Sequence, residues 1–416
     1  MRDFYLKLEK ESVWGKLAMV LAVVFFLYLG DAIISDWIPT YMQGVLGGSL
    51  AMGLMISFSS VMGLTADLIF PQLFKNVNFR KMIVLAISAV FITAGILLWT
   101  TRLMLPAVFL LAMGTWGVYY EFLYFGLSQF VAKVAPVTAR SGVWSVISVF
   151  KSIAYCFGPL ISGWLYLWKG SVIVIFTYAL LALMAYLVWT TIEMRSVSTR
   201  GEEREELEKF NIIEEIKYWS VLSEHVWPIL LTSLTLGVVD AAFWTTGVVL
   251  SDRLVKENWI GGLFVSAYMV PSIFIGFMVA RLGIFKGKKK LAEIFMLLTG
   301  IFTMALGWSH SVYLLIFFAL MIGITTSVAW PLLGGVYSDI ASRMGREQKH
   351  ISGIAGSTVN FSYIIGPVVT GFLASKIGET GALMYLGIGV VLVSIFLLMV
   401  TPKKLKLPQV EISTWG

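Results

Sequence analysis

Residues 145–163 read SVISVFKSIAYCFGPLISG, and residues 353–371 read GIAGSTVNFSYIIGPVVTG. Ser145, Ala154, Gly158, Pro159, Ser162 and Gly163 of the first stretch are matched by Gly353, Ser362, Gly366, Pro367, Thr370 and Gly371 of the second, each 208 positions later. That offset is half of the 416-residue chain, so the sequence reads as one plan written twice. Gly114 with Gly323 and Asp31 with Asp240 extend the correspondence at nearly the same offset.

What each half consists of follows from composition. The chain is 58% apolar or aromatic and 13% charged. A soluble protein carries about 25% charged residues, so the polar surface needed to face water is missing. Mean hydropathy is +0.85, and apolar runs repeatedly reach the roughly 18–20 residues that cross about 30 Å of hydrocarbon. No alternating ten-residue pattern of a β-barrel is present, so the spans are helical. The runs predict twelve spans at 17–40, 49–74, 82–101, 104–132, 141–166, 171–192, 227–250, 259–283, 290–308, 311–340, 350–375 and 380–400. The expected fold is an all-α membrane protein of two six-helix bundles. Its parts are an N-terminal bundle (1–192), a linker (193–226), a C-terminal bundle (227–402) and a tail (403–416).

Of the 31 lysines and arginines, 25 fall in the termini and the loops on their side, 5 in the alternate loops, and Lys151 inside the fifth span. By the positive-inside rule both termini are expected in the cytoplasm, with the protein multi-pass in the cell membrane. This asymmetry accounts for the net charge of +7 and leaves no soluble basic face for nucleic acid. Met1 to Lys16 mixes charges, and the run after it is span-length with no small-residue cleavage site, so no cleavable signal is predicted. Cys156, the one cysteine, reads as a packed small residue. The linker is rich in glutamate and carries Leu207, Phe210, Ile213 and Ile216 at helical spacing, as in a solvated connector with an interfacial helix.

The chain resembles the major facilitator superfamily over essentially its whole length. Gly63-Leu-Thr-Ala-Asp67 supplies the first half of the family's G-x-x-x-D-R-x-G-R-R/K signature, and its basic end comes late, as Arg80-Lys81. After the eighth span Gly276, Ala280, Arg281, Gly283 and Lys286 to Lys290 echo it without the acid. The Gly-Pro stretches are similar to the fifth-helix motif of the family's proton-linked antiporters, with Ser145, Ala154 and Ser162 in place of three glycines. The arginine that its drug antiporters carry in the fourth helix is replaced by Gly114, and Glu121 lies further along. The resemblance implies a cavity between the bundles, lined by the first, fourth, seventh and tenth helices, worked by alternating access.

Ionisable groups within a span cost several kcal/mol unless paired or hydrated, and so mark functional positions. Asp31, Glu121, Lys151 and Asp240 all lie near their span centres. Asp31, Glu121 and Asp240 are expected to carry the coupling proton. Lys151 is expected to pair with Glu121 or Asp31, and with Tyr28, Tyr120, Tyr124, Tyr155, Trp244, Trp330 and Asn360 to contact substrate. A static ion pair is the competing reading. Gating is assigned to Asp36, to Asp67 and Arg80 at the inner end, and to the Gly158-Pro159 and Gly366-Pro367 kinks. Glu293 and Asp339, near span ends, need only reach the interface.

The expected function is secondary transport of a small molecule by a monomer, with protons and the lipid bilayer as its other partners. An enzyme is not expected, nor a metal or other cofactor, because neither H-E-x-x-H nor G-x-x-x-x-G-K-[ST] occurs. Three midplane acids against one base, with many aromatics, favour proton-coupled export of an amphiphilic or cationic compound. The alternative is a proton-coupled uptake symporter for a small organic anion or sugar that uses Lys151.

Overall fold

A computed structural model describes residues 11–73, 79–134, 140–191, 212–282, 287–344 and 348–400, and every element among them is helical. Helices 1 to 6 are Glu11–Leu46, Ser49–Leu73, Phe79–Thr100, Pro106–Val134, Arg140–Lys169 and Ser171–Thr191. Helix 7 runs through Ile212–Ala242, a π turn at Phe243–Gly247, and Val248–Glu257. A 3-10 turn, Trp259–Gly262, leads into helix 8 (Leu263–Leu282), followed by helix 9 (Lys288–Trp308) and helix 10 (Val312–Met344). The last helical stretch, Gln348–Val400, has 53 residues. Unbroken, it would be roughly 80 Å long, more than twice the thickness of a bilayer core. Gly378 divides it with φ 76 and ψ 170, a conformation only glycine adopts without strain. The chain folds back there into helices 11 and 12, and helix 12 lies along helix 9: a Cβ at Gly300 would meet Val390 and Val391. Ten helical stretches are long and apolar enough to cross a membrane, with Gly353–Val400 counted as one and Trp259–Ile275 as a shorter apolar helix. Division at Gly378 and inclusion of helix 8 give the twelve expected.

The linker's Leu207 and Phe210 lie outside the described residues. Ile213 and Ile216 are in the first turns of helix 7, which begins at Ile212 and runs without a break into the seventh span.

Buried apolar side chains form two cores. Leu27, Ile33, Phe109, Tyr119, Phe130 and Tyr178 belong to the first, and Leu236, Phe243, Phe264, Met296 and Leu397 to the second. Small residues set the packing within each half: Gly158 lies against Ala32, and at the matching place Gly366 lies against Ala241. Thr93 and Thr115 share a 2.8 Å hydrogen bond between helices 3 and 4, and Thr299 and Thr325 one of 2.8 Å between helices 9 and 10.

The twelve-helix order puts residues 11 and 400 at one end of the bundle, the terminal end; the turns at 47–48 and Gly378 lie at the other, the far end. The halves pack through helix 2 on 11, 5 on 8, and 1 on 7. Their close contacts lie between the middle and the far end. A Cβ at Gly53 would run into the Pro367 carbonyl, and one at Gly371 into the Ser49 carbonyl. Ser266 donates its hydroxyl to the Cys156 carbonyl at 2.8 Å. Among the described residues, helices 4 and 10 do not belong to the main pairs that pack across the halves, and between them lies a cleft on the terminal-end side of the close contacts.

Candidate functional site

At the head of this cleft, Asp31 is fully buried in the middle of helix 1. Its Oδ1 accepts the indole N–H of Trp116 at 2.7 Å, and its Oδ2 accepts the hydroxyls of Tyr120, at 2.9 Å, and Tyr155. Trp116 and Tyr120 stand one turn apart on helix 4 and so present the same face to helix 1; Tyr155 reaches in from helix 5. Three uncharged donors on one acceptor supply the charge-assisted hydrogen bonds that let a carboxylate stay in apolar surroundings.

Asp240, on helix 7, is half-buried and accepts the hydroxyls of Tyr268, at 2.6 Å, and Tyr363. The same helix carries Trp244 into the π turn, and its ring meets the Tyr155 ring edge-on across the halves at 5.0 Å and 86°. The Asp31 cluster and helix 7 therefore touch through one side chain.

Lys151 is exposed, with its Nζ 5.6 Å from the Tyr28 ring centre and 5.4 Å from that of Tyr155. It has no part in the ion pairs among the described residues. The expected pairing with Glu121 or Asp31 is thus not formed, and the geometry gives the reason. The Asp31 oxygens are occupied by donors from helices 4 and 5. Glu121, buried in helix 4, faces helix 2, where a Cβ at Gly63 would lie 3.2 Å from its Oε1. Lys151 instead lies over aromatic rings, a cation–π arrangement, within electrostatic reach of Asp31. One turn further along the same face, Tyr155 points into the junction of the halves, so the exposure of Lys151 is exposure to the cleft.

Tyr124, on helix 4, is 58% exposed and stacks on Trp144 of helix 5 at 6.0 Å. Trp330 packs against the C-terminal core, half-buried, and Asn360 is half-buried in helix 11. Asp36 lies near Ser162 of helix 5, inside the N-terminal half. Asp67 is in helix 2, and its side chain lies outside the described residues; Arg80 is exposed at the start of helix 3. Pro159 and Pro367 stay within continuous helix. Their neighbours Cys156 and Gly371, with the Pro367 carbonyl itself, form the contacts between the halves. Glu293 pairs with Lys289 at 3.2 Å and Asp339 with Lys288 at 2.7 Å.

Residues 242–414 match the Major Facilitator Superfamily. The fold extends the likeness to the whole chain. A POT family transporter in complex with a thioalcohol-conjugated peptide superposes with a TM-score of 0.71 at 13% identity, over 93% of this chain and 96% of that one. A D-xylose–proton symporter gives 0.69 at 12%, over 93% and 98%, and the human organic anion transporter MFSD10 (TETRAN) gives 0.61 at 17%, over 93% and 99%. The C-terminal part of the chain is thus similar to the major facilitator superfamily by sequence, and the whole chain shares its fold with these transporters. No curated protein matches it by sequence. Its long apolar helices are those of a multi-pass membrane protein.

Three partners of the two acids were not expected from sequence: Trp116, Tyr268 and Tyr363. Tyr363 stands 208 positions after Tyr155, so the internal repeat carries a signal for it. A polar bridge at the far end was also not foreseen, because its members come from the ends of three different helices that only the tertiary fold brings together. Gln43 donates to Glu379 across the halves at 3.4 Å, and Arg253 pairs with the other oxygen of Glu379 at 2.8 Å.

Proposed function

We propose that the protein is an alternating-access secondary transporter whose cargo carries an anionic group taken at Lys151, with transport coupled to protons through Asp31. The observation that supports this reading is the state of the midplane charges. Lys151 is exposed to the cleft with no carboxylate of the described residues within 4.0 Å, whereas Asp31 and Asp240 already accept tyrosine and tryptophan donors. A cationic cargo would have to displace those donors; an anion has only to meet the lysine. Of the two cargo classes expected, the organic anion is thereby favoured over the amphiphilic cation.

The coupling follows from proximity. An anion on Lys151 cancels the positive charge that faces Asp31, so a proton on Asp31 and an anion on Lys151 favour one another, and linkage makes the effect reciprocal. The two then move together, as in a symporter. The excess of Lys and Arg at the terminal end assigns that end to the cytoplasm and the protein to the cell membrane. The cleft of this structure is then the inward-facing one, and a monomer holds the whole site.

Proteoliposomes with an imposed inward proton gradient test this reading. Labelled benzoate is expected to accumulate, and Lys151→Ala is expected to abolish the accumulation. Efflux of benzylamine against protons, with no benzoate flux, would overturn it.

A further inference from the structure

We infer that the anion is an extended monoanion with an aromatic or similarly flat apolar end, which rests on the Tyr124–Trp144 pair while its charged group meets Lys151. The inference rests on the reading of Lys151 as the anion contact and goes beyond it to the rest of the cargo.

Trp144 precedes Lys151 by seven residues on helix 5, two turns on the same face and about 10 Å along the axis. Ser148, between them, is exposed, so Trp144, Ser148, Lys151 and Tyr155 form one line from the mouth of the cleft to its head. On helix 4, Tyr124 lies one turn beyond Tyr120, on the face that turns Tyr120 toward Asp31. Its 58% exposure is therefore exposure to the cleft. The two rings are inclined by only 28°, a slanted plate bridging helices 4 and 5 at the mouth. The plate offers flat aromatic faces, which suit a hydrocarbon or ring. A second negative charge would approach Asp31 and Asp240 with no further cation in the spans to meet it.

Binding to the purified full-length protein, measured by calorimetry, tests this with 3-phenylpropionate, hexanoate and phenylsuccinate. The ring compound is expected to bind about tenfold more tightly than hexanoate, the size of effect that a stacked aromatic contact gives. Phenylsuccinate, a dianion, is expected to bind more weakly than 3-phenylpropionate. Tyr124→Leu combined with Trp144→Leu should bring the ratio of the two monoanions to near one, and Lys151→Ala should weaken both alike. Tyr124→Leu alone, a change of an exposed side chain, keeps the test usable if the double variant does not fold, with an expected narrowing of about threefold. Equal affinities in the wild type, or an unchanged ratio in the variants, would overturn the inference while Lys151 dependence left the anion reading in place. Binding of neither monoanion would overturn both.

Discussion

Asp31 and Asp240 lie 209 positions apart at equivalent places in the two halves, and they are held differently. Asp31 is fully buried among three donors from helices 4 and 5; Asp240 is half-buried between two tyrosines from helices 8 and 11. The tyrosine on the fifth helix of each half, Tyr155 or Tyr363, is common to both. The other partners are not interchangeable. The positions 209 after Trp116 and Tyr120 hold Thr325 and Ala329, and the position 209 before Tyr268 holds Ser59. The repeat thus keeps the acid and one tyrosine, and each half completes the ring of donors from a different helix. Lys151 has Val359 as its counterpart, 208 positions on. One half carries a sealed acid and a cation, the other a more accessible acid and no cation at that place, so a symmetric frame presents chemically unlike walls to its cargo.

The sharpest way to break this comparison is to neutralise each acid in turn. Asp31→Asn is expected to reduce flux driven by a proton gradient in proteoliposomes by more than about tenfold, and Asp240→Asn by about threefold; these are the sizes that follow from loss of buried and of half-exposed charge-assisted hydrogen bonds. Equal losses would make the halves equivalent. A smaller effect is expected on stability. Trp116→Phe removes a donor from a fully buried carboxylate and should cost about 1.5–3 kcal/mol in detergent unfolding, whereas Tyr268→Phe beside half-exposed Asp240 should cost about 1 kcal/mol. The reverse order would mean that burial is not what separates the two acids. The smallest contrast is expected between Tyr155→Phe and Tyr363→Phe, the members common to both halves. Their unfolding midpoints should fall by similar amounts, and a marked inequality would show that the Tyr155 contact with Trp244 carries weight of its own.

The frame was legible in the sequence because hydrophobic length and internal repetition are local properties of the chain. The acids were legible for the same reason: a charge in an apolar run stands out wherever the run folds. Tyr155 was reached by helical spacing from Lys151, and Tyr120 through the resemblance that lines the cavity with the fourth helix. Tyr268 and Tyr363 lie on helices without a midplane charge and are brought in by tertiary packing alone; Trp116 shares helix 4 with Glu121 but stands five residues before it, about 140° round the helix. The pairing expected for Lys151 failed on a related point. Charge complementarity names possible partners but not the direction of a side chain, and Glu121 turns toward Gly63 of helix 2.

Toward the far end the closest approaches between the halves are glycine against carbonyl, Gly53 on Pro367 and Gly371 on Ser49, with the Gln43–Glu379 side-chain bridge beside them. Dispersion between such surfaces fades within about an ångström of separation. Backbone packed this closely has little slack, so if the halves part there, these contacts are lost together and not one at a time.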